Sequence, residues 1–237
     1  MSSPFTIGKA LVSFVRLVRD PSRLAEVFDL ADNLEKSDML AGVVSELSED
    51  PAARRAFEER PRVGRIDLQA LGELPPGTLG REFAEHIRRL GLDLDAIPTL
   101  SSDDATGFFR AHLYETHDIW HVVTGFGVDF TGELGLQATY VAQIPGKLAP
   151  VILAIGLINL VLYTPETRLE KMDAIAAGYL LGRRARSLFG VRWAEMWEKP
   201  LSEVRRELGI VPAPAAGALG RREVSAQVLA GAQALAA

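Results

Sequence analysis

Residues 108–133 read FFRAHLYETHDIWHVVTGFGVDFTGE, and the way this stretch doubles back decides the fold. Ser101-Ser102-Asp103-Asp104 is a helix-capping cluster, after which Phe108 to Val123 reads as one long helix ending in Thr124-Gly125-Phe126-Gly127. Asp129 to Thr131 can cap a second helix, from about Gly132 to Ile144. On the first helix His117 and His121, four residues apart, lie on one face and can offer a nitrogen each to one ion. Glu133 follows His121 by twelve residues, which on a continuous helix is roughly 18 Å. Gly125, Gly127 and Gly132 turn the chain back instead, because glycine reaches backbone conformations closed to other residues. Two antiparallel helices then face each other with a metal site between them. Asp118 is rotated about 100° from His117, so it borders the same face and either ligates or orients an imidazole from outside.

The remainder of the chain has the same character. From Ile7, the residues Leu11, Phe14, Val15 and Val18 recur at helical spacing, with Lys9 and Arg16 opposite, until Asp20-Pro21. Further helices are expected from Ser22, over Asp38 to Leu47, and from Asp50-Pro51 to Pro61. Leu74 to Gly80 is a turn, with Thr78 as N-cap of a helix carrying Phe83, Ile87 and Leu90 and closed by Gly91. Leu148 to Tyr163 is an apolar helix, read as buried, with a membrane-dipping segment as the alternative. Helices are also expected over Glu166 to Phe189 and Leu201 to Leu208, with Trp193 and Trp197 on one helical face. Runs of period two are scarce. The expected fold is all-α, a single-domain helical bundle over residues 5–211, followed by an Ala/Pro-rich tail at 212–237.

Composition narrows the chemistry. With 48% apolar and 24% charged residues the chain has the balance of a folded protein, and a net charge of −5 argues against nucleic acid as a partner. Without cysteine there is no disulfide or thiolate chemistry, so a metal must be held by imidazole and carboxylate. His86, beside Arg88 and Arg89, is read as lying on a solvated helix, and His112 as a neighbour of the site. Arg110 and Tyr114 fall close to the His117 face and can bind an anionic substrate group, or else pair a surface acid and pack in the core. No run reaches the roughly 18 apolar residues of a membrane-spanning helix. The N-terminus lacks the apolar region of a secretory signal, though its basic residues also suit a mitochondrial presequence.

His117-Asp118-Ile119-Trp120-His121, followed after eleven residues by Glu133, resembles the His-Asp-x-x-His…Glu signature of the ubiquinone-biosynthesis family known as Coq-four. Leu74-Pro75-Pro76-Gly77-Thr78-Leu79-Gly80 resembles the family's Leu-Pro-x-Gly-Thr-x-Gly, and Arg192-Trp193 with Leu201 to Ile210 resembles its C-terminal ending. The likeness spans about residues 60–211, is looser in the N-terminal helix and stops after Val211. One departure is that His112 and Tyr114 stand before Glu115, where the family often has arginines.

The resemblance implies a helical, membrane-peripheral protein of ubiquinone biosynthesis, with His117, Asp118, His121 and Glu133 holding one divalent metal ion, zinc first and iron as the alternative. The implied reaction removes the ring carboxylate of a polyprenylated hydroxybenzoate, with hydroxylation of the same carbon and Asp118 or Glu133 relaying protons. A non-catalytic lipid-binding scaffold that organises the biosynthetic complex is the competing reading. The implied partners are a polyprenylated quinone precursor or other isoprenoid lipid, the membrane surface, other ubiquinone-biosynthesis proteins and a second copy of the chain as a homodimer. The implied place is the cytoplasmic side of a bacterial inner membrane or, alternatively, the matrix side of the mitochondrial inner membrane. A metalloprotease is disfavoured, because Asp118 stands where His-Glu-x-x-His enzymes carry the glutamate general base.

Overall fold

The computed structural model describes residues 16–20, 37–92, 94 and 100–213. Among these the chain is helical without a strand, and one isolated antiparallel bridge joins Thr78 to Pro200. The helices are α1 (Ser37–Leu47), α2 (Pro51–Glu59), α3 (Leu68–Glu73), α4 (Leu79–Leu90), α5 (Ala105–Thr124), α6 (Phe130–Gln143), α7 (Leu148–Leu162), α8 (Arg168–Arg184) and α9 (Leu201–Leu208), with 3-10 turns at Pro165–Thr167 and Trp193–Glu195. Residues 16–19 are also helical. The expected helix from Ile7 through Leu11, Phe14 and Val15, the helix from Ser22 and the tail beyond Ala213 lie outside the described residues.

Side chains set the helix ends where the sequence placed them. Asp104 accepts from Gly107 N–H at the start of α5, and Gly125 ends that helix in the left-handed region at φ 80. Asp129 caps α6, which begins at Phe130, two residues before the expected start. Thr78 caps α4 through Arg81 N–H, and Gly91 closes it.

Three expectations are corrected. Glu166 to Phe189 is not one helix: a 3-10 turn precedes α8, which stops at Arg184, and the following strand-like link returns Phe189 to the core beside Phe57, Phe108 and Phe109. Gln143 holds this stop, since its Nε2 donates to Arg186 O at 3.0 Å and its Oε1 accepts from Leu188 N–H at 3.0 Å. Trp193 and Trp197 do not share a helical face either, because only a single 3-10 turn forms there. Trp193 is buried, and Trp197 packs on Phe83 with ring centroids 5.3 Å apart.

The third correction concerns α7. Ile155, Gly156, Asn159 and Leu160 are buried, but Leu157, Ile158, Val161, Leu162 and Tyr163 face outward, with Val161 74% exposed. An apolar helix can only be buried on the side a neighbour covers, and α7 has Leu17 and Val18 against Ile155 on one side and α6 on another. Asn159, the one polar side chain of this helix, is satisfied: it donates to Val18 O at 2.8 Å and accepts from Thr164 Oγ1 at 3.2 Å.

The tightest packing joins α6 to α8. Gly178 of α8 lies so close to Gly135 of α6 that a β-carbon at 178 would be driven into the Gly135 carbonyl. Thr139 Oγ1 lies 3.1 Å from Gly178 O across the same contact. This seam fixes the helix that carries Glu133.

Candidate metal centre

The helix bearing the two histidines is anchored along its length. Glu115 accepts a bidentate hydrogen bond from Arg62 and another from Val63 N–H at 3.2 Å, tying α5 to the segment after α2. At the other end Arg205 of α9 donates from Nε to Val123 O and from its terminal nitrogen to Val122 O, each at 2.9 Å. A guanidinium there satisfies carbonyls that the helix itself leaves unpaired and complements the negative end of its dipole.

His112 is structural. Its Nε2 accepts from Gly190 N–H at 2.9 Å, so the ring proton sits on Nδ1, which donates to Pro61 O at 3.2 Å. Burial pushes its pKa down to about 4, against the opposing pull of the Pro61 carbonyl and Glu115. The ring is therefore neutral when folded while the unfolded chain takes up a proton below about 6.5. The sign follows: the stabilising contribution is complete above 6.5 and is lost as pH falls toward 4. Between pH 7 and 4.5 this group should remove about 2–3 kcal/mol of stability. Guanidinium unfolding at the two pH values measures it, and the same loss in a folded His112→Gln variant would assign the effect elsewhere.

One turn further along α5, three of the four expected ligands, His117, His121 and Glu133, come together. His117 Nε2 and His121 Nε2 are 3.3 Å apart, and Glu133 Oε1 lies 3.1 Å from His121 Nε2 and 3.9 Å from His117 Nε2. The three ligand atoms fall within 4.8 Å of one another. Four ligands placed tetrahedrally at zinc–nitrogen distances are separated by roughly 3.3 Å, so the donor set fits a small divalent ion in both chemistry and spacing. The two imidazole planes meet at 90°, which lets both lone pairs reach one point.

Both imidazoles are oriented from behind. His121 Nδ1 donates to Phe126 O at 3.0 Å, so the carbonyl of the turning segment fixes the tautomer that leaves Nε2 available. His117 Nδ1 lies 3.4 Å from Tyr140 Oη, and the Tyr140 ring stacks on Trp120 at 4.3 Å between centroids. Tyr140 was missed by the sequence reading, although it follows Glu133 by seven residues, close to two helical turns on the same face. Burial and the charges of Glu133 and Asp118 push its pKa well up, so it remains a neutral phenol.

Glu133 sits in the first turn of α6, where the helix dipole favours a carboxylate. Burial would raise its pKa, but hydrogen bonds to His117 and His121 override it and hold the group at about 2. His117 is raised in turn: burial opposes the charged ring, and Glu133 and Asp118 more than offset it.

The other expected site residues stand apart from this trio. Asp118, half-buried, is not in the three-residue group, though its charge acts on His117, His86 and Tyr140. Arg110 and Tyr114 are half-buried on α5, about two turns and one turn before His117. His86 is the clear departure. It was expected on a solvated face, yet its ring is buried and stacks on His121 at 6.1 Å between centroids. The strong two-sidedness of α4 buries Phe83, Ile87 and His86 together.

Residues 4–214 match the model of the family described as coenzyme Q (ubiquinone) biosynthesis protein Coq4. The chain belongs to the Coq4 family. Among curated members it is 31% identical over 171 residues to the Aspergillus niger ubiquinone biosynthesis protein coq4, mitochondrial, covering 70% of this chain and 57% of that one. With the Xenopus laevis Coq4 homolog, also mitochondrial, it shares 26% over 174 residues, covering 71% of this chain and 60% of that protein. The chain thus spans somewhat under two thirds of these relatives. A crystal structure of a Nostoc punctiforme protein, provisionally assigned to ubiquinone biosynthesis, superposes with a TM-score of 0.73 at 30% identity, covering 85% of this chain and 97% of that one.

Proposed function

We propose that this Coq4-family chain acts in ubiquinone biosynthesis as a metal-dependent enzyme that removes the ring carboxylate of a polyprenylated hydroxybenzoate at a membrane surface. The observation that carries the reading is the convergence of His117 Nε2, His121 Nε2 and Glu133 Oε1, with both imidazoles oriented by a partner behind them. The names of the curated relatives supply the pathway.

His117, His121 and Glu133 would hold a divalent ion, which when bound would supply Lewis acidity toward a phenolic or carboxylate oxygen; zinc would suffice for decarboxylation, and iron would be required where dioxygen is also used. When the carboxylate leaves as carbon dioxide its bonding pair stays on the ring carbon, which must then take a proton. Asp118, next to His117 and not among the three converging groups, is the residue assigned to hold that proton, or to close the metal's shell as a fourth ligand. Glu133, held as an anion, supplies the negative charge that balances a cation at the site and raises the pKa of His117 beside it. Arg110 and Tyr114, toward the start of the same helix, are assigned to the substrate's polar groups.

Replacing His121 by alanine should abolish turnover of a prenylated hydroxybenzoate while leaving association with other biosynthetic proteins intact. Full complementation of a ubiquinone-deficient strain by a folded His121→Ala variant would instead favour the scaffold reading.

The membrane part rests on α7. No single described helix is long and apolar enough to cross a bilayer, and α7 bends by 116° into the segment that follows. Its outward Val161 and Leu162, with Leu169 and Met172 on α8, form an apolar surface suited to an interfacial position. Changing both Val161 and Leu162 to glutamate should lower binding to liposomes by at least about tenfold, since each buried methylene contributes roughly 0.8 kcal/mol. The melting temperature should stay within a few degrees because both side chains are exposed. Undiminished liposome binding would place the membrane face elsewhere.

A further inference from the structure

His86 belongs to a third helix, α4, and is used by nothing described so far. Its side chain is only 8% exposed, and its Nε2 has no hydrogen-bond partner in the structure. A buried polar atom left unpaired is costly, and since such atoms are ordinarily paired with protein or water, an exception calls for an explanation, one of which is a group that binds there. An imidazole nitrogen donates or accepts according to which ring nitrogen carries the proton, so the unpaired Nε2 can serve in either role.

The geometry separates its role from that of the ligands. His117 and His121 meet edge to face, and their lone pairs converge. His86 and His121 are nearly parallel, 23° between planes, and 6.1 Å apart. Lone pairs lying in two stacked planes run side by side and do not meet at one ion. His86 is accordingly outside the group of three. It nonetheless borders the site, its ring centroid 6.1 Å from that of His121.

We infer that His86 binds the substrate and not the metal, its Nε2 hydrogen-bonding an anionic oxygen, carboxylate or phenolate, of an aromatic acid seated at the metal's open position. This rests on the metal-site reading given above and adds to it a ligand-recognising residue on α4. In the tautomer with the proton on Nε2, the unpaired nitrogen of His86 becomes a donor that is paired when the acid is present. His86 is a recognition group from a part of the chain remote in sequence from the metal motif.

The test uses the full chain loaded with zinc, 4-hydroxybenzoate as the probe, and the variants His86→Phe and His86→Gln. Phenylalanine fills the same flat space without a polar atom, so His86→Phe should keep wild-type zinc stoichiometry and affinity, melt at a higher temperature, and bind 4-hydroxybenzoate at least tenfold more weakly by calorimetry. Glutamine restores an N–H donor and should recover part of that affinity. The inference is overturned if His86→Phe binds the acid within twofold of wild type, or if the zinc-loaded wild type does not bind it. Loss of zinc from His86→Phe would also overturn it, making His86 a metal ligand. A wild-type chain that holds no zinc would fail at the earlier step and remove the metal reading itself.

Discussion

The Glu133→Ala variant should hold its divalent metal at least about 100-fold more weakly than the wild-type chain. Removing even a group that only supports a ligand costs 10–100-fold in metal affinity, and Glu133 Oε1 stands 3.1 Å from His121 Nε2 with its own charge at stake. What remains is a pair of imidazoles on one helix, with no anion to balance the ion and nothing from α6 to close the site. A chelator competition at pH 7 reads the change, and circular dichroism establishes that the helices persist. Undiminished metal affinity in a folded variant would remove Glu133 from the site. The metal-free variant should also differ from wild type, because the raised pKa of His117 depends on Glu133. Without that carboxylate only Asp118 opposes the burial of the ring, and the balance moves toward the neutral form.

The second large effect is expected at a residue that is itself no ligand. Gly178→Val places branched carbon where α8 meets the backbone of α6 at Gly135. The obstacle is a carbonyl, which unlike a flexible side chain cannot swing aside, so the two helices must part. Overpacking of this kind costs about 1–3 kcal/mol and more when backbone has to move, so a loss of roughly 3 kcal/mol or greater is expected. Since α6 carries Glu133, the displaced helix should also weaken metal binding, an effect a remote cavity would not produce. Gly42 provides the contrast: nothing lies within 4 Å of a β-carbon there, and Gly42→Ala in α1 should raise stability by about 0.5–1 kcal/mol. Equal melting temperatures for Gly178→Val and the wild type would mean that the seam is looser than its geometry implies.

Whether a feature was legible in the sequence depends on the range over which its cause acts. Caps at Thr78, Asp104 and Asp129, and stops at Gly91 and Gly125, are set by atoms within a few residues, and the chain shows them directly. His117 and His121 share a face for the same local reason, and the glycines between them and Glu133 disclosed the turn. His86 was misplaced because its burial comes from helices that approach it only in the folded molecule. Its arginine neighbours, Arg88 and Arg89, described the other face of α4. Trp193 and Trp197 kept helical spacing without a helix: spacing permits a shared face but does not form one, and Gly190 at φ 81 and Pro200 break the stretch on either side. For α7, composition established that the helix is apolar. It could not state which side another helix would cover, and that side alone became core.

The grip of Arg205 on Val122 and Val123 is joined by Ala213 N–H, which donates to Thr124 O at 2.7 Å. The last carbonyls of the histidine helix are thus paired by residues that leave the ribosome some eighty positions later. A nascent chain that has already emitted His117, His121 and Glu133 therefore has the ingredients of the site but an unfinished end to the helix that presents them. The carbonyl end of that helix thus acquires these partners only once the final stretch of the described chain has been made.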